Sequence, residues 1–278
     1  MTFVAIIAVF VLVQYWGTAE AFHHDGWFRT WMKTTRKWFP QAGLQVFAQV
    51  FLPVLGLWVV LSLLKTSLVW LYFLVSIPLL LYSLGRGNYT EWLEGYCDAY
   101  HRNDNEVACD YAERLGVDIE SCADWPSLHE QVLRRAGYLG FERWFAAIFW
   151  LVILGAVGSV LYRLASLASH SNGQPDEVKA LCARLCWLLE WPVVRLLGLT
   201  FALTGNFVGC IDYWKQCLLT TDVSTEQVME TCIHGSLNVN SRELSSQGIT
   251  EQEIEALIPL LSRSLILWLC VLAVFSVV

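Results

Sequence analysis

Six apolar runs, at about residues 3–16, 44–64, 66–84, 144–165, 186–206 and 256–278, constrain this chain more than any other feature. A helix needs about 20 apolar residues to cross some 30 Å of hydrocarbon. The second to fifth runs meet that length. Composition agrees: 56% of the 278 residues are hydrophobic and 15% charged, against about 45–50% and about 25% in a soluble domain. The expectation is an all-α polytopic membrane protein, a bundle of about five or six membrane segments with helical cytoplasmic loops, forming one integral-membrane domain over 1–278.

The first run, MTFVAIIAVFVLVQYW, has neither a basic leading region nor a small-residue cleavage site. It reads as a retained segment, spanning or partly inserted, more than as a signal peptide. The last run holds Pro259 and Arg263, so its fully apolar part begins near Ser264. Lys and Arg set the orientation. Arg29, Lys33, Arg36 and Lys37 lie in segment 17–43, and Arg86, Arg102, Arg114, Arg134, Arg135 and Arg143 in segment 85–143, whereas only Lys65 marks the connection between the second and third runs. The positive-inside rule places both segments in the cytoplasm. Counting onward puts 166–185 outside, 207–255 inside as a second cytoplasmic loop, and the C-terminus outside. Trp16, Trp70, Trp144, Trp187 and Trp268 fall near span ends, as an aromatic belt requires.

Within the loop 85–143, Asn103 reads as an N-cap with Glu106 three residues on, and Gly116 as the stop. A second helix is expected at about 126–138, after Asp124 and Pro126. Ser224 with Gln227, and Thr250 with Glu253, repeat the capping pattern in the second loop.

Several function classes drop out. A net charge of −7 and no basic run argue against nucleic acid as a partner. The nine cysteines form no CxxC pair and no zinc spacing, so no metal site is expected; Cys182 and Cys186, four apart, could share a helix face and pack there, and most of the nine read as free thiols in loops facing a reducing cytoplasm. Neither a phosphate loop, a GxGxxG turn, an HExxH helix nor a GxSxG elbow occurs. No catalytic residue is assigned. His23 and His24 are expected near lipid headgroups.

What remains is a set of charges where lipid would be expected. In LEWPVVRL, residues 189–196, Glu190 and Arg195 lie five residues, about 140°, apart on an ideal helix and do not face each other. If Pro192 opened a helix, about fifteen residues, or roughly 22 Å, would remain to Asn206, which is short for a span. Either the helix continues through a proline kink or the segment is broken and buried in protein. At that depth an unpaired arginine costs about 2.5–3.5 kcal/mol or more, so Arg195 should turn inward. Snorkelling at the interface is the alternative. Arg163 in LYRL and Arg143 in FERW read as membrane-edge anchors, and Glu142 as an acid at a helix start. Arg102, Asn103 and Asp104 in HRND could together hold a phosphate or carboxylate, although capping explains Asn103 without a ligand.

HRNDNEVACDYAERLGVD, FAAIFWLVILGAVGSVLYRL and LEWPVVRLLGLTFALTGNF, in this order and spacing, resemble the AmpE family of Gram-negative inner-membrane proteins. More distantly, the same elements are similar to the CobD/CbiB family of adenosylcobinamide-phosphate synthases. A GDxxAA loop of that family corresponds to Asn103, Asp104 and Ala108, and its IPARL-like segment to Trp191 through Leu196. Asn103 replaces the glycine and Val107 the first alanine, departures that count against that activity here.

The first resemblance implies a multi-pass inner-membrane signalling modulator of β-lactamase induction and cell-wall recycling, not an enzyme, with the lipid bilayer and a membrane or cytoplasmic protein as partners. It also implies a cell-wall-derived or nucleotide ligand. Glu190, Pro192 and Arg195 would then mark a broken helix lining an old cytoplasm-facing pocket. The candidate ligand residues are Arg102, Asn103, Asp104, Glu142, Arg143, Arg163, Glu190, Arg195 and Asn206. The alternative is a membrane synthase that uses Mg-ATP to join a carboxylate to an amine. There Asp104 would help hold a metal–phosphate group, Glu142 would act as acid or base, and Arg143, Arg163 and Arg195 would bind anionic substrate. A transporter fits less well, since no inverted repeat is visible.

Overall fold

The computed structural model describes residues 25–67, 69–84, 88–171, 173–237 and 251–277. The segment 3–16, His23, His24 and Thr250 lie outside these. All regular structure among the described residues is helical. Four helical stretches are long and apolar enough to cross a membrane: Ala42–Thr66, Trp125–Leu154, Asp176–Thr204 and Gln252–Phe275, with Trp70–Ser83 shorter. The protein is an all-α, multi-pass membrane protein. Ala42–Thr66 and Gln252–Phe275 leave most of their apolar residues exposed, the surface that lipid covers.

The chain divides into two compact units. Unit 1 comprises Met1–Gly87 and Glu142–Glu190, and unit 2 Asn88–Phe141 and Trp191–Val278.

In unit 1, α1 (Gly26–Trp38) is amphipathic, burying Phe28, Met32 and Thr35 and ending in Arg36 and Lys37, where cations suit the helix dipole. The Trp31 indole N–H donates to the Ala48 carbonyl at 3.1 Å, which fastens α1 to α2 (Ala42–Thr66). That carbonyl lies in a π turn, Phe47–Phe51. α3 (Val69–Ser83) follows.

The run 144–165 is not the single span that its hydropathy predicts. The helix of its first half begins at Trp125, passes through a π turn at Phe141–Ala146 and continues as Ala147–Leu154. It stops at Gly155, whose φ of +72° and ψ of −163° only glycine adopts readily. A new helix, Ala156–Ser169, turns back against it, and Gly158 leaves no room for a Cβ beside the Trp150 carbonyl.

In unit 2, α4 (Tyr89–His101) and α5 (Asn105–Leu115) form a helical hairpin. Asn103, in the turn, takes a left-handed φ of +55°. That displaces the cap by one residue from the expected Asn103: the Asp104 carboxylate accepts from the Val107 N–H at 3.3 Å. Gly116 closes α5 at φ +88°, as expected. α6 (Trp125–Gly140) begins with a capping box between Asp124 and Ser127. α7 is Ala147–Leu154 and α8 Ala156–Ser169, both of unit 1. α9 (Asp176–Thr204) gives residues to 190 to unit 1 and the rest to unit 2. In unit 2, α10 (Phe207–Cys217) and α11 (Thr225–Leu237) cross where Gly209 and Gly235 bring the two backbones together. α12 (Glu251–Val277) runs unbroken through Pro259. The expected Ser224–Gln227 box is present, with reciprocal bonds of 3.2 and 3.3 Å.

Candidate functional site

The charges within apolar sequence resolve into two different arrangements. In unit 1 they are gathered around α8. This helix presents Ser159, Tyr162, Arg163 and Ser166 on one buried face, at the i, i+3, i+4 and i+7 spacing that aligns side chains. Arg163 is 3% exposed, with Nη1 at 3.5 Å from Glu142 Oε1 and Nη2 at 3.7 Å from Asp25 Oδ2. The Ser166 hydroxyl donates to Glu142 Oε1 at 2.5 Å. Arg163 is therefore no membrane-edge anchor but the centre of a buried cluster. Its charge pairs are longer than hydrogen bonds, and its Nε finds no acceptor among the described residues.

Glu142 does not open a helix, because the helix through it began at Trp125. It lies in the π turn Phe141–Ala146, a local widening that proteins often place at functional positions. Arg143, 8% exposed, stacks over the Trp144 ring at 5.7 Å. Glu190, 4% exposed, forms a second cluster of unit 1, where its Oε1 accepts from the Tyr162 hydroxyl at 3.1 Å and the Cys186 thiol at 3.3 Å.

In unit 2 the candidates are held one by one. α9 is continuous through Pro192, so the segment is not broken: it gains its length by starting at Asp176, ten residues before the apolar run. Arg195 turns inward, onto groups of the protein itself. Its guanidinium lies 4.6 Å over the Trp191 ring, and Nη2 donates to the Thr220 carbonyl at 2.7 Å. Asn206 caps α10 by accepting from the Gly209 N–H at 3.1 Å. Arg102 donates Nε to the Asp98 carbonyl at 3.1 Å, and Arg102, Asn103 and Asp104 are all exposed in the α4–α5 turn.

The thiols also differ from expectation. All nine are free, but Cys97, Cys182, Cys186, Cys210 and Cys232 are buried in helices, not in loops. Burial pushes the Cys109 and Cys217 thiols up from the ordinary range. Among the described residues no three His, Cys, Asp or Glu side chains converge.

Unit 1 also contains a cavity of about 610 Å³. Asp25 is at once a partner of Arg163 and part of the cavity wall; none of the nine candidate residues lines it. Asp25, Tyr162 and Ser166 were not singled out from sequence. The only signal pointing to them was the unpaired charge of Arg163, Glu142 and Glu190 within apolar runs.

Two curated relatives match part of the chain, both called "Cobalamin biosynthesis protein CobD". The protein from Stutzerimonas stutzeri is 29% identical over 175 residues, covering 57% of this chain and 56% of its own length. The one from Chromobacterium violaceum is 30% identical over 151 residues, covering 51% and 47%. The chain spans about half the length of these relatives. No solved structure matches. The family model described as "Regulatory signalling modulator protein AmpE" matches residues 1–276, and the chain belongs to that family of regulatory signalling modulators.

Proposed function

We propose that this protein is an inner-membrane modulator of the response that links cell-wall recycling to β-lactamase induction, acting without catalysis and with residues 85–143 and 207–255 on the cytoplasmic side. The observation that carries this reading is how the chemistry-bearing residues are used. Asp104 and Asn206 cap helices, Arg195 is bound to a carbonyl and a tryptophan face, and Glu142 is held by Ser166 and Arg163. The buried cluster around Arg163 is then the element whose arrangement differs between signalling states, since a few charges in a low-dielectric interior have strongly different energies in two packings.

The test is β-lactamase activity after β-lactam exposure in cells lacking the protein, complemented with wild type, Asp104→Ala or Arg163→Leu at equal membrane abundance. Restoration by wild type and Asp104→Ala but not by Arg163→Leu is expected. Equal failure of Asp104→Ala would move the reading to catalysis.

The second reading, an ATP-dependent amide-forming synthase, draws on the similarity to cobalamin biosynthesis proteins. It assigns a metal–phosphate role to Asp104 and substrate contacts to Arg143, Arg163 and Arg195. Mg-dependent ATP turnover by the purified protein, abolished by Asp104→Ala, would favour it.

A further inference from the structure

We propose that the cavity between α1 and the C-terminal end of α8 binds a phosphate-bearing small molecule whose remaining part carries hydroxyl or amide groups. The first argument is charge. Arg29, Lys33 and Arg36 line the cavity at the i, i+4 and i+7 positions of α1 and are exposed, so their charges share one stripe. Among the described residues neither Arg29 nor Lys33 has an acidic partner. The acid in the wall, Asp25, is turned to Arg163. A chain with a net charge of −7 thus keeps a local excess of positive charge at this mouth.

Arg36 is also anchored, because its Nη1 donates to the Gly173 carbonyl at 2.8 Å across the cavity and fixes the turn after α8 against α1. A guanidinium held in place loses little further freedom when it binds an anion.

The second argument is a buried polar group without a partner. Gln45 is 3% exposed, lines the cavity, and its Nε2 makes no hydrogen bond among the described residues. On the other wall Gln174 spends its Nε2 on the Met32 sulfur and the Ala168 carbonyl, while its Oε1 has no partner among the described residues. Leaving such groups unmade inside a protein is costly, and native structures rarely do so without a ligand or water to satisfy them. A donor on one wall and an acceptor on the other suit the hydroxyl or amide groups of a ligand whose phosphate meets the cations. The volume of about 610 Å³ falls within the range of small-molecule sites.

Such a phosphate has two sources: a free solute or the headgroup of an anionic lipid. A basic amphipathic helix such as α1 also suits a lipid surface. The cavity and its glutamines are what separate a site from simple surface attraction.

The experiment uses the full chain in nanodiscs and reads the dissociation constant and the melting temperature. One arm adds glycerol 1-phosphate to phosphatidylcholine nanodiscs. The other replaces part of the phosphatidylcholine with phosphatidylglycerol and adds nothing. The variants are Arg29→Ala with Lys33→Ala, and Gln45→Met, which keeps the volume of the side chain. Expected is stabilisation in at least one arm, weakened about tenfold or more by each variant. A response in the first arm identifies a solute site; a response confined to the second identifies a headgroup site. Two results overturn the proposal: no response in either arm from a protein that melts cooperatively, or a response that depends on Arg29 and Lys33 but is unchanged in Gln45→Met, which would make it surface charge only.

Discussion

Arg163 of unit 1 and Arg195 of unit 2 are buried to the same degree and held in different ways. Unit 1 gathers Asp25, Glu142 and Arg163 into one interior cluster with contacts of 3.5 and 3.7 Å, too long for hydrogen bonds. Unit 2 buries Arg195 on the Thr220 and Trp191 carbonyls at 2.7 and 3.3 Å and on an aromatic face, with only its Nε lacking an acceptor among the described residues. Its other cations stay nearer the surface, as where Arg134 forks onto Glu230 at 2.9 and 3.1 Å and ties α6 to α11. Breaking one member of a buried charge set leaves the others uncompensated, whereas a group bound to a carbonyl takes only its own bond with it. Unit 2 is therefore built as a scaffold, and unit 1 as the element whose interior energy depends on one residue.

The sharpest way to break this comparison is Arg163→Leu. It strands Glu142 and Asp25 in the interior and should destabilise unit 1 by about 3–5 kcal/mol. Hydrogen exchange should show protection lost in α8 and the segment 141–146 while α5 and α11 keep theirs. Adding Glu142→Gln and Asp25→Asn to Arg163→Leu should recover much of the loss, because no unpaired charge is left. Uniform loss in both units, or no recovery, would refute the distinction.

Arg195→Ala comes next. It removes a bond from a charged donor and a cation–π contact, about 2 kcal/mol together, and should loosen the α9 region after Trp191 and the segment around Thr220. Arg195→Lys should restore only part, since an ammonium cannot both lie flat on Trp191 and reach the Thr220 carbonyl. A thermal melt of the two variants side by side checks the order.

These two arginines also mark the limit of what could be read from sequence. Both stood out as charges in apolar runs, but the cost of charge in lipid gave an inward turn only for Arg195, with snorkelling as the alternative, while Arg163 read as a membrane-edge anchor and is buried instead. Their partners were not legible. Asp25 and Glu142 are far from Arg163 in sequence, and nothing local to any of the three residues specifies the pairing. Local signals fared better, because a cap is written within four residues: Ser224 with Gln227 and the Gly116 stop lie where expected, and a helix follows Asp124 as expected. Even there the first cap slipped from Asn103 to Asp104, since asparagine is one of the few residues that accepts a left-handed backbone. Hydropathy missed the fold at Gly155 altogether, because a reversal made by one glycine leaves the apolar count of the run unchanged.

Smaller effects test the scaffold. Ser224→Ala should cost about 1 kcal/mol by removing one half of the box at the start of α11. Asn103→Gly should be nearly neutral or slightly stabilising, whereas Asn103→Val should cost about 1–2 kcal/mol through its left-handed φ. All three should leave hydrogen exchange in α8 unchanged, and a change there would mean that the scaffold and the cluster are not separable.

The smallest expected effect is a pH dependence at the start of α6. The Asp124 carboxylate accepts from the Ser127 backbone N–H at 3.0 Å, and that bond, with a further contribution from the Ser127 hydroxyl, holds its pKa below the ordinary value. The group is fully exposed, so water screens the effect. Its native pKa lies below its unfolded one, so the stabilisation is complete above the unfolded value, about 3.9, and is lost as pH falls through the native value. Hydrogen exchange of the first turn of α6 should therefore quicken as acid is added below about pH 4, beyond the intrinsic pH dependence of exchange. Asp124→Asn caps a helix nearly as well but carries no charge. It should keep the turn protected at neutral pH and remove the extra acid sensitivity. If Asp124→Asn retains the full sensitivity, the titrating group lies elsewhere. The acids of the Arg163 cluster would then be the next to exchange for amides, which would extend the control of unit 1 over stability into the helix that passes from one unit to the other.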